Sequence, residues 1–148
     1  MSSSSAMRRV RRRWAVWSAV ALVGLCGAIV SAGLMKQYPA EQYLIISDLP
    51  EEDIQEAQIR MAALFREYRG RSKGFRGGIR SRMVFRIYSD EDHYIRQGGP
   101  PGSAGYFNPR TSDLAALANE DTRYLLWHII QHEAFHQFAC FVISKNMP

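Results

Sequence analysis

The sequence predicts an α+β fold, in which a small mixed sheet packs against a long helix carrying a His-Glu-x-x-His pattern, preceded by an N-terminal transmembrane or signal helix. Three observations lead there. An uncharged run follows a cluster of arginines at the front of the chain, short strand-like and helix-like segments alternate through the middle, and an apolar segment without Gly or Pro closes the sequence until Pro148.

Ser2 to Ser5 read as a leader, and Arg8, Arg9, Arg11, Arg12 and Arg13 form a basic flank before the uncharged stretch Trp14 to Met35. Such a stretch is long enough to cross a bilayer as a helix, and the positive flank keeps the front in the cytoplasm and sends the downstream residues outward. The chain therefore divides into a cytoplasmic leader (1–13), a signal anchor or signal peptide (14–35) and an exported domain (36–148). Val30-Ser31-Ala32 offers small residues for cleavage, but the apolar run is longer than the usual signal-peptide core, which favours a retained anchor. The expected location is the cell membrane, single-pass with the C-terminal domain exported, or secreted if the segment is cut.

The net charge of +5 belongs to this topology: setting the five flank arginines aside from 19 Lys and Arg leaves a number equal to the 14 Asp and Glu. Nucleic acid is not expected as a partner. The run Arg66, Arg69, Arg71, Lys73, Arg76, Arg80, Arg82 and Arg86, interrupted by glycines, reads as a solvated loop between two elements. Cys26 and Cys140 fall in the apolar run and the last helix, so no disulfide is expected within the exported domain, which must be held by its core.

From Glu41 to Ser47 the chain reads as a strand bounded by Asp48 and Pro50. Pro50 opens a helix with Glu51, Glu52 and Asp53 in its first turn, continuing with helical period to Gly70. Arg82 to Tyr88 alternates as a second strand, Asp90 to Arg96 gives one or two helical turns, and Gly98-Gly99-Pro100-Pro101-Gly102 stops them. Gly105 to Leu117, broken by the turn at Asn108 to Ser112, reads as a hairpin. Asn119 is placed as the N-cap of the final helix, expected from about Glu120 to Ile143 and, being apolar on most of its circumference, buried within the domain.

On that helix lie His132, Glu133 and His136. Positions four apart share a helical face, so the two imidazoles can aim at one small cation while Glu133 lies beside it. Zinc suits this arrangement: two neutral imidazole ligands, an open position for water, and a carboxylate to take the water's proton. His128 and Cys140 sit one turn further on either side, roughly 6 Å along the axis, too far for a straight helix to wrap around one ion. His128 is read as a core or rim histidine, Cys140 as a small buried residue and His93 as a surface residue. No Asp, Glu or His follows His136, so a third protein ligand must come from upstream or from a segment this sequence lacks.

The segment Gly105-Tyr106-Phe107-Asn108-Pro109, Thr111 in the turn, the strand after that turn and the block His132-Glu133-Ala134-Phe135-His136-Gln137 together resemble the zincin metallopeptidases of the gluzincin type (the peptidase MA clan), over roughly Tyr43 to Phe138. The resemblance implies zinc on His132 and His136, Glu133 as general base, and a third ligand, a glutamate on a following helix, that no residue here matches. On this basis the exported part is expected to be the N-terminal portion of a zinc metallopeptidase-like domain acting on peptides or proteins. The strand Asp113 to Leu117 is expected to offer its edge to a substrate. The alternative is a non-catalytic envelope scaffold, or an inactive fragment lacking the third ligand.

Overall fold

A computed structural model of the chain describes residues 34–75 and 77–143. The basic flank and nearly all of the apolar run lie outside them; the last two residues of that run, Leu34 and Met35, lead as coil into the first strand. The element order is β1 (Lys36–Pro39), β2 (Tyr43–Ser47), α1 (Glu51–Arg71), β3 (Met83–Tyr88), α2 (Glu91–Arg96), β4 (Gly105–Asn108), β5 (Asp113–Leu117) and α3 (Leu126–Val142). The five strands form one mixed sheet in the order β1-β2-β3-β5-β4. Its three central strands are parallel, in register Ile45 with Phe85 and Phe85 with Leu114, while β1 and β4 pair antiparallel along its two margins.

Alternation along these strands sorts side chains between two cores. Tyr43, Ile45, Phe85, Ile87, Leu114 and Ala116 face α1 and α3, meeting Ile54, Ala57 and Met61 of the first helix and Leu126, Ile130, Ala134, Phe138 and Val142 of the second. On the opposite face, Tyr88, Ala115 and Leu117 pack with Tyr94 of α2. Covered on both sides, β5 is apolar almost throughout, as central parallel strands are.

The expected fold class needs correction at two points, both on the final helix. The final helix is 17 residues rather than the span from Glu120 to Ile143, because Asn119 caps a turn instead of a helix. Its Oδ1 accepts from the Thr122 backbone N–H at 3.0 Å and from the Thr122 hydroxyl at 2.9 Å, and that hydroxyl also lies 2.6 Å from the Leu117 carbonyl. Consecutive turns continue to Leu125. The helix is also not buried all round, since His128, Gln131, His132, Phe135 and His136 are exposed. No helix among the described residues is long and apolar enough to cross a membrane; the expected spanning segment, Trp14 to Met35, lies almost wholly outside those residues.

The first strand was not foreseen. Lys36-Gln37-Tyr38-Pro39 is short and ends in proline, and only its pairing with β2 makes it a strand. Proline is tolerated there because the strand lies at the margin. The basic run also divides: Arg66 and Arg69 belong to the last turns of α1, and the loop proper begins at Ser72.

Candidate metal centre on helix α3

Buried residues Leu126, Ile130, Ala134, Phe138 and Val142 recur four apart and fix which side of α3 meets the sheet. The rotation that buries them turns His132 and His136 outward together. Their Nε2 atoms stand 3.1 Å apart, with ring centroids at 4.7 Å and planes at 80°. Two imidazole nitrogens on one tetrahedral zinc, each about 2.0–2.1 Å from it, are separated by roughly 3.3 Å. The pair is therefore already spaced as two ligands of such an ion.

Glu133 points another way. Its Oε2 accepts the Phe107 backbone N–H at 3.0 Å, which ties the carboxylate to β4, and its Oε1 lies 3.9 Å from His132 Nε2. The carboxylate side chain is only 20% exposed against 68% for His132. Of the three motif residues expected within the domain, Glu133 alone is half-buried, and the β4 backbone supplies a partner for its carboxylate. Helix α3 and β4 meet closely enough that a Cβ on Gly105 would come within 2.6 Å of Ile129 Cγ2, so only glycine fits there.

Among the described residues no three His, Cys, Asp or Glu side chains converge to hold a metal ion. His128 is exposed, one turn before His132, and lines a hollow of about 420 Å³ with Tyr68, Gln131, His132 and Phe135. The Tyr68 hydroxyl donates to the Gln131 carbonyl at 2.7 Å, and burial raises this phenol above the ordinary tyrosine range. Cys140 is half-buried. His93, expected at the surface, is half-buried with its ring 5.0 Å from that of Tyr88. A second hollow of about 480 Å³ lies at the end of α1, lined by Arg66, Arg69 and Lys73 together with Glu41, and shares no residue with the motif.

One further residue at the site has a structural role that its place in the sequence pattern did not reveal. Gln137 is fully buried, and its Nε2 donates to the Val84 carbonyl at 2.9 Å and the Ser112 carbonyl at 2.8 Å. It thereby fastens α3 to β3 and to the hairpin turn, where Ser112 takes a positive φ of 61°. A buried Gln on an otherwise apolar stripe was the available signal, since a buried amide favours partners; here its Nε2 has two, while its Oε1 is buried without one.

The strand edge also needs correction. Asp113 to Leu117 is paired on both sides, with β3 and β4, so the free margin nearest the motif belongs to Gly105–Asn108. Comparison with known proteins finds no matching family model, no similar curated protein and no similar solved structure. None of these comparisons supports or tests the zincin resemblance, which rests on the sequence alone.

Proposed function

We propose that the exported part of this chain is a zinc-dependent hydrolase of the peptidase type, with His132 and His136 as ligands and Glu133 as general base. The observation that carries the reading is the Nε2 separation of 3.1 Å, with a carboxylate oxygen 3.9 Å from one of those nitrogens. Zinc bound there would act as a Lewis acid on the scissile carbonyl and lower the pKa of a bound water. Glu133 would take that water's proton and return it to the leaving amine. The hydrogen bond from Phe107 holds the carboxylate in one orientation for that work. An extended peptide would pair with the margin of β4, beside the Phe107 N–H that Glu133 already holds. A third ligand would come from outside the described residues. The arginine flank and apolar run would place the domain on the outer side of a membrane.

The test uses the full chain with any segment that continues it. It should bind zinc and cleave a peptide library, and Glu133→Gln should lower cleavage by about 10²–10⁴-fold with zinc content unchanged. Cleavage untouched by that substitution removes Glu133 from the mechanism. A scaffold role is the second reading, favoured by the convergence of only two motif imidazoles among the described residues; a stable, zinc-free, inactive product would select it.

A further inference from the structure

We propose that a second copy of this chain completes the metal site, the two copies meeting across the open side of α3 so that His132 and His136 of each hold one zinc ion. The inference rests on the zinc reading of the histidine pair and not on hydrolysis.

Donor count points to it first. A closed tetrahedral zinc site takes four protein ligands. Each chain presents two nitrogens at the right spacing and, among the described residues, no third donor beside them. The His132 side chain is 68% exposed, so the pair is approached from outside the domain, at the rim of the hollow that His132 lines.

The chemistry of the surrounding surface agrees. From Leu126 to Val142 the helix has no Lys or Arg, and its one carboxylate, Glu133, is turned toward Phe107. A solvated helix side ordinarily carries charges of both signs. This one instead exposes Phe135 at 48%, and Leu125 just before the helix at 43%. Sparse charge beside an exposed aromatic is the composition of an interface centre, and two such sides meet without like-charge repulsion.

Shape adds to both. A two-fold axis requires one patch to be complementary to itself. Half-exposed Phe135 forms, with Tyr68, His128, Gln131 and His132, the wall of a shallow hollow of about 420 Å³, its ring edge-on to Tyr68, so each copy offers the same open apolar patch.

Four imidazoles fill a tetrahedral ion and leave no position for water. The zinc-linked pair is then the closed form of the site, and hydrolysis belongs to the separated chain.

The full 148-residue chain, purified metal-free in mild detergent, is titrated with zinc sulfate and followed by native mass spectrometry and metal analysis. The expected result is a doubled mass with one zinc per two chains, reversed by EDTA and abolished by His136→Ala. Phe135→Asp should raise the concentration needed for pairing at least tenfold, read on protein that still melts cooperatively. Glu133→Gln should still pair, which separates this outcome from any loss of hydrolysis. One zinc per chain with no change in mass overturns the pairing and spares the zinc reading. No bound zinc overturns both. Pairing that persists in EDTA overturns the link through zinc, and this arm decides even if His136→Ala does not fold.

Discussion

Gln137 follows the second motif histidine directly, and its amide satisfies two carbonyls distant in sequence, Val84 and Ser112. Replacing it with Leu keeps the volume and strands two half-buried acceptors, at a cost of up to roughly 1–3 kcal/mol for each one left without a donor, offset in part by removing the Gln137 Oε1, which is buried without a partner. Chemical denaturation of Gln137→Leu should show that loss. Gly105 makes a second residue-level prediction. An added methyl meets Ile129 Cγ2 at 2.6 Å, so Gly105→Ala should destabilise by about 1–3 kcal/mol, and Ile129→Ala should recover part of it in the double variant. The motif histidines were legible from spacing alone, because a four-residue interval on a helix leaves their side chains no other relation. The partners of Glu133 and Gln137 were not, since Phe107 lies 26 positions from the one and Val84 lies 53 from the other.

Among elements, those with strong local signals were the legible ones. Acidic residues at Glu51, Glu52 and Asp53 and the period up to Tyr68 place α1 to within a residue or two. Alternation places β3, and the turn at Asn108 to Ser112 places the hairpin strands. Asp90 caps α2, its Oδ1 accepting the His93 N–H at 2.7 Å, and Asp90→Ala should cost about 1 kcal/mol, measurable as a lower urea midpoint. The front of α3 was misplaced because Asn119 and Thr122 compete for one another's hydrogen bonds, and a capping residue specifies a turn as readily as a helix start. β1 carried no pattern of its own, and the order of strands, which makes β4 rather than β5 the margin, is a property of pairing that local sequence does not encode.

For the molecule as a whole, the core on the helix side of the sheet contains a fully buried phenol, Tyr43, whose hydroxyl has no hydrogen-bond partner. Burial, with a smaller contribution from the Tyr68 phenol nearby, raises its pKa far above the ordinary 10.0. A raised phenol stabilises the fold fully below the unfolded value, and that stability drains away as pH climbs toward the folded one. Above about pH 10 the unfolded chain ionises first, so Tyr43 alone should cost about 1.4 kcal/mol per pH unit. Denaturation between pH 8 and pH 11 should show the decline, and Tyr43→Phe should flatten it with little loss at neutral pH, because the hydroxyl makes no bond to lose. The mixture of helices and sheet was legible from the alternation of periods, whereas the covering of both sheet faces was not.

The bond from Phe107 to Glu133 gives the molecule a spectroscopic handle. A backbone proton donated to a carboxylate changes its resonance frequency when the acceptor gains or loses charge. Isotope labelling of phenylalanine nitrogen alone would therefore let the Phe107 NMR peak follow the state of the Glu133 carboxylate, with both imidazoles left chemically intact.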